Sequence, residues 1–144
     1  MSPFQRRVRA AVYAWFRDGT APPAIADLAA TLDVGCEDVA GALRALADAH
    51  CLVLNRDGEV WMAHPFSAVE TDCVVRVGTR RWFANCAWDA LAILAVMGDG
   101  TFDTRSPATG EPLRFTAQNG RVSGEGVVHF LVPAREFWAD IGHT

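Results

Sequence analysis

The sequence contains no lysine; all 13 of its basic residues are arginine. Lysine and arginine carry the same charge, so this bias reads as codon usage and not as chemistry. No stretch reaches the ~18 consecutive apolar residues of a membrane span. The richest run, residues 84–97, still holds Asn85 and Asp89. Met1-Ser2-Pro3 leads into a basic amphipathic segment with no apolar h-region and no small-residue cleavage site, so a cytoplasmic location is expected. The four cysteines (Cys36, Cys51, Cys73, Cys86) lack CxxC or finger spacing, and in a reducing compartment they are expected as free thiols. The four histidines (His50, His64, His129, His143) lack ligand spacing to one another. An excess of positive charge is also missing. The net charge of −4 argues against a general polyanion binder.

What is present suits a small folded protein. The 144 residues are 51% hydrophobic and 21% charged, which allows a buried core and excludes wholesale disorder. Val8, Val12, Trp15 and Phe16 recur at helical period, and Asp18-Gly19 and Pro22-Pro23 end that helix. A second helix is expected from Pro23 on Ile25, Leu28 and Leu32, and a third over residues 36–50 on Val39, Leu43 and Leu46. The runs 51–55 and 59–62 flank Asp57-Gly58 and predict a hairpin. Three helices and a hairpin are the order of a winged helix-turn-helix, with its boundary at His64-Pro65-Phe66.

Beyond that boundary the pattern predicts a strand over 71–77, with Cys73, Val75 and Val77 on one face. A turn at 78–80, a short strand over 81–83 and a mostly buried helix over 84–97 follow. Residues 103–111 read as a loop, 113–117 and 121–122 as a hairpin across Asn119-Gly120, and 127–132 as a strong strand. A short last helix carries Phe137, Trp138 and Ile141.

A winged helix raises the question of DNA, and the charges answer against it. Residues 1–66 hold six Arg and eight Asp or Glu, and the third helix opens with Glu37 and Asp38, which repel phosphate. The module is therefore expected to be structural, with no nucleic-acid partner.

The segment Trp82-Phe83-Ala84-Asn85-Cys86-Ala87-Trp88-Asp89-Ala90-Leu91 is the most informative in the chain. Asn85 is an N-cap candidate, which places Cys86 in the first helical turn, where free backbone N–H groups lower a thiol pKa. Asp89 lies three residues on, over the same face. A carboxylate beside a thiolate raises its pKa by charge, but it can hold or relay a proton. A soft thiolate gripping a soft centre, with a proton donor alongside, is a device for protonating a leaving group. Taken alone, a cysteine in an apolar helix is more often a small core residue.

The block Asn85-Cys86-Ala87-Trp88-Asp89-Ala90-Leu91, preceded by Arg81-Trp82-Phe83, resembles the active-site segment of the organomercurial (alkylmercury) lyases. The resemblance takes in Phe66-Ser67, Thr71, Thr109-Gly110-Glu111-Pro112, Val128-His129-Phe130 and the Trp138 segment, and covers most of residues 60–144. It implies that two cysteines and one aspartate cleave a carbon–mercury bond. One thiolate attacks mercury, both come to hold it, and the acid protonates the departing carbon. By the match, Cys86 is the attacking thiol and Asp89 the proton relay. It also implies an N-terminal winged-helix-like module not known for reading DNA. No residue here matches the family's second cysteine, which belongs just beyond the segment that residues 137–144 resemble. Either the natural chain is longer or this member lacks that ligand. Cys73, on a strand shortly before the site, is the stand-in candidate, although its alternation with Val75 and Val77 also suits a core role.

The expected fold is α+β: a winged helix-turn-helix-like three-helix module over residues 1–65, then a small mixed domain over 66–144 with an antiparallel sheet packed on a helix. The expected function is protonolysis of a carbon–mercury bond at Cys86 and Asp89. The expected ligand is a small organomercurial or a soft metal, with no cofactor and no membrane partner. Two other readings stay open: a repurposed member binding a soft metal through Cys86, and a thiol- or metal-responsive transcription regulator.

Overall fold

The structure is a computed structural model, and it describes residues 1–18 and 22–142. Gly19 to Ala21, His143 and Thr144, on which parts of the first helix stop and the histidine reading fall, lie outside the described residues.

Helix α1, Pro3–Arg17, starts on a reciprocal cap. Ser2 Oγ accepts from the Gln5 N–H at 3.2 Å, and Gln5 Oε1 accepts from the Ser2 N–H at 2.6 Å. Helix α2 spans Ile25–Leu32, two residues later than the sequence suggests, because Ala24 is the extended N-cap residue and its N–H is held by Asp27 at 3.1 Å. Helix α3 spans Cys36–Asp48; the chain turns out of it with His50 at φ 55°. Val8, Val12, Phe16, Leu28, Val39, Leu43 and Leu46 bury the faces that the 3.6-residue period marked.

The strands β1 (Val53–Leu54), β2 (Val60–Ala63), β3 (Phe66–Ser67), β4 (Val74–Val77), β5 (Arg80–Ala84), β6 (Gly100–Arg105), β7 (Pro112–Gln118) and β8 (Arg121–Ser123) form one sheet in the order β1-β2-β3-β5-β4-β6-β7-β8. Every pairing is antiparallel. The expected α+β architecture, with helices and an antiparallel sheet, is therefore present. Pairing of Ala63 with Phe66, and of Phe66 with Ala84, carries the sheet across His64-Pro65 into the C-terminal half. Trp82 fastens the halves from the other side, its buried Nε1–H donating to the Phe16 carbonyl at 2.5 Å.

Helix α4, Ala87–Met97, lies on β4, β5 and β6 and buries Ala90, Ile93 and Leu94. It begins later than residue 84 because Ala84 is taken by the β3–β5 ladder. The next strand, β6, corrects the expected loop over 103–111. Asp103 and Thr104 looked like loop residues, but β6 has neighbours on both sides, and Asp103 is tied to Arg76 of β4 and Arg114 of β7. Gly100 is required where β6 starts, since a Cβ there would stand 2.2 Å from the Arg76 carbonyl oxygen.

The Asn119-Gly120 hairpin forms as the sequence suggests, both residues at positive φ. The strand expected over 127–132 does not form. Its apolar run meets no neighbouring strand among the described residues and stays open, with Val127 92% and Leu131 73% exposed. Strand propensity describes a fit to a half-buried ladder, and here there is no ladder to join. A 3₁₀ helix, Ala134–Ala139, follows. Among the described residues no helix is long and apolar enough to cross a membrane.

Candidate active site at the start of helix α4

Strand β5 runs into the site. Thr71 Oγ donates to the Ala84 carbonyl at 2.6 Å, fixing the chain just before Asn85. Cys86 then takes extended backbone angles (φ −153°, ψ 178°) and is itself the N-cap of α4. This corrects the assignment of the cap to Asn85. Cys86 stands one residue earlier relative to the helix than expected, and Asp89 becomes the third helical residue, the position where a carboxylate suits the positive helix end.

The electrostatics also differ from expectation. Burial pushes the Cys86 thiol up, and the Asp89 carboxylate adds to the rise, while the backbone N–H groups of Asp89 and Trp88 pull it down. Desolvation wins, because the sulfur is half-buried and burial outweighs the pull of those N–H groups. The resting side chain is thus a thiol, not the thiolate that the helix start alone would produce.

Asp89 is held by two groups. Asn85 Nδ2–H donates to Asp89 Oδ2 at 2.8 Å, and His64 Nδ1 lies 3.3 Å from the same oxygen. Asn85 also reaches the carbonyls of Pro65 and Phe66, each at 3.4 Å. The contact with Asn85 is local in sequence, four residues away, although Asn85 lies just outside α4. The sequence offered no signal for His64, which is 25 residues away.

Cys73 immediately precedes β4 and lies beside this segment: its carbonyl accepts from the Ala84 N–H at 2.9 Å. The side chain is buried, with Sγ 3.2 Å from Thr104 Oγ1. Burial raises its pKa, the Thr104 contact lowers it, and charge on Cys86 or Asp89 raises it further. Cys73, Cys86 and Asp89 therefore share one electrostatic neighbourhood. Cys36 is exposed on α3, and Cys51 follows that helix; both lie in the N-terminal half. His129 is exposed in the open stretch. Among the described residues no three His, Cys, Asp or Glu side chains converge as a preformed metal cage.

Of the tryptophans, Trp82 is core. Trp88 is 57% exposed and borders a 470 Å³ apolar groove between α4 and the β7–β8 hairpin, on whose lining neither Cys86 nor Asp89 appears. Trp138 stacks on His50 (4.2 Å between centroids) and meets His64 edge-on (5.9 Å).

Cys86 and Asp89 thus form a cysteine–aspartate pair at the head of a helix that rests on an antiparallel sheet. The model of the family described as MerB, alkylmercury lyase, matches residues 66–143, and the chain belongs to that family. Among solved structures it is similar to the mercury-bound form of MerB2, with a TM-score of 0.68 and 24% identity over 85% of this chain. That likeness is one of fold. The chain spans 60% of the length of that structure's chain. No curated protein sequence matches it.

Proposed function

We propose that the protein cleaves carbon–mercury bonds by protonolysis, with Cys86 as the attacking thiol and Asp89 as the proton relay. The observation that carries this reading is the placement of Cys86 and Asp89 on the first turn of α4, inside the segment that matches the family. As an organomercury cation arrives, a sulfur–mercury bond forms and the thiol proton passes to the Asp89 carboxylate. The electrons of the carbon–mercury bond stay with carbon and take up that proton, so hydrocarbon leaves and mercury(II) remains on sulfur. A thiol that rests protonated thus supplies the proton its neighbour delivers. Cys73 is the second sulfur of this reading: it binds the mercury as the bond to carbon breaks and gives its own proton to solvent. Soft mercury favours such a pair of thiolates over oxygen ligands.

In the same reading residues 1–65 are a winged-helix-like module that acts as scaffold, and residues 66–144 form the lyase-like domain. Glu37 and Asp38, exposed at the start of α3, fit a scaffold better than a DNA reader.

The test is Asp89→Ala with phenylmercury as probe, following bound mercury and released benzene together. Retained mercury with benzene release down about 100-fold or more supports the relay. Release at the wild-type rate overturns it.

A further inference from the structure

We infer that His64 and Asn85 are positioning residues that pin Asp89 through Oδ2 and so make Oδ1 the oxygen that carries the relayed proton; the inference rests on the protonolysis reading above. Both contacts converge on one atom, at 2.8 Å from Asn85 Nδ2 and 3.3 Å from His64 Nδ1. An amide N–H can only donate; His64 Nδ1 lies 3.3 Å from Asp89 Oδ2 and 3.4 Å from Asn85 Nδ2, and because the carboxylate is the nearer and the charged partner we assign the hydrogen to Nδ1. An oxygen that already accepts twice is the poorer place for an acid hydrogen. The proton taken from Cys86 therefore rides on Oδ1, for which the described residues provide no hydrogen bond.

The rest of the cluster is built to hold this arrangement. With Nδ1 as donor, the other polar atom of the ring, Nε2, is buried with no partner among the described residues, as is Asn85 Oδ1. Each unpaired polar atom costs stability. The two rings of contact thus favour the Asp89 side of His64 and Asn85 at the expense of their other ends, which is how a site is held when orientation matters more than stability. The backbone of His64 is anchored from α1, whose Tyr13 hydroxyl donates to the His64 carbonyl at 2.8 Å. The N-terminal helices accordingly reach the relay through Tyr13, His64 and Asp89 in turn. Trp138 closes the edge of the His64 ring from the C-terminal side.

Three variants of the full chain test the inference: His64→Phe, which keeps a ring but no donor; His64→Asn, whose amide can restore a donor near the Nδ1 position; and Asn85→Leu. Phenylmercury is the probe. The expected result for His64→Phe and Asn85→Leu is unchanged mercury stoichiometry and benzene release about 10- to 100-fold slower, the range seen when supporting partners of reactive groups are lost. The solvent deuterium isotope effect on release should grow, because proton delivery becomes slower relative to capture. His64→Asn should recover most of the rate. Release from His64→Phe at the wild-type rate overturns the inference, and so does a loss that His64→Asn fails to restore.

A second measurement does not depend on turnover. Nitrogen-15 NMR of wild-type protein should show the Nδ1–H form of His64, and Asp89→Leu should abolish that preference. A wild-type Nε2–H form, or no response to Asp89→Leu, overturns the inference. Wild-type protein that releases no benzene defeats the protonolysis reading, and the NMR result alone then decides whether His64 holds Asp89.

Discussion

Asp89 acts on the Cys86 thiol in two opposed ways: its backbone N–H draws the thiol pKa down, while its carboxylate drives it up. Both act across a single helical turn, and burial tips the balance toward the protonated sulfur. In the proposed reaction a soft metal that binds Cys86 must therefore displace a proton, and the Asp89 carboxylate is the base proposed to take it.

Cys73 should matter for holding mercury. Serine in its place preserves a hydroxyl for Thr104 and removes the sulfur. Cys73→Ser is expected to lose bound mercury at least about tenfold faster to a competing small thiol, since each tenfold in equilibrium corresponds to ~1.4 kcal/mol, a modest share of a sulfur–mercury bond. Retention equal to wild type would show that the second ligand lies elsewhere.

The two raised thiols also give the protein an alkaline signature. Burial raises the folded-state pKa of Cys73 and Cys86, so the folded chain binds their protons more tightly than the unfolded chain. That contribution is complete below the unfolded thiol value of about 8.5 and is lost as pH rises through the raised folded values. Urea midpoints measured upward from pH 8 should fall more steeply for wild type than for Cys73→Ser. Parallel curves would contradict this.

Asp103 stabilises the sheet with the opposite sign. The hydrogen bond from Arg114, then burial working against it, then Arg114 and Arg76 charge and contact, leave its carboxyl below the usual range. Its contribution is present above the unfolded value of about 3.9 and is lost as pH falls through the lowered folded value. The arginines are 45% and 69% exposed, so solvent screening keeps the effect small. Asp103→Asn should cost about 0.5–1 kcal/mol at neutral pH, measured by urea unfolding, and the difference should vanish in acid. An equal loss in acid would mean that packing, not charge, holds β4, β6 and β7 together.

Much of the fold was legible because its signals are local. The buried faces of α1, α2 and α3 follow the helical period, the alternation of Cys73, Val75 and Val77 follows the strand period, and Asn119-Gly120 marks its own turn. Strand β6 was hidden because Asp103 and Thr104 satisfy themselves across strands, a relationship absent from their own stretch of chain. Residues 127–132 misled for the converse reason: apolar residues signal a strand only where another strand waits. At the site, the closeness of Cys86 and Asp89 was legible from their three-residue spacing, while a chemical role for them came from the resemblance. The state of the thiol was not legible, because desolvation depends on what the rest of the chain lays over the sulfur. His64 was invisible because only the β2–β3 turn brings it to Asp89.

The central claim is that Cys86 breaks the carbon–mercury bond together with Asp89. Its most direct test is benzene release from phenylmercury by wild type and Cys86→Ser, with small thiol in excess to carry mercury away. The account predicts steady release by wild type and none above the uncatalysed rate from Cys86→Ser, together with loss of mercury capture. Benzene released by Cys86→Ser at the wild-type rate would contradict it.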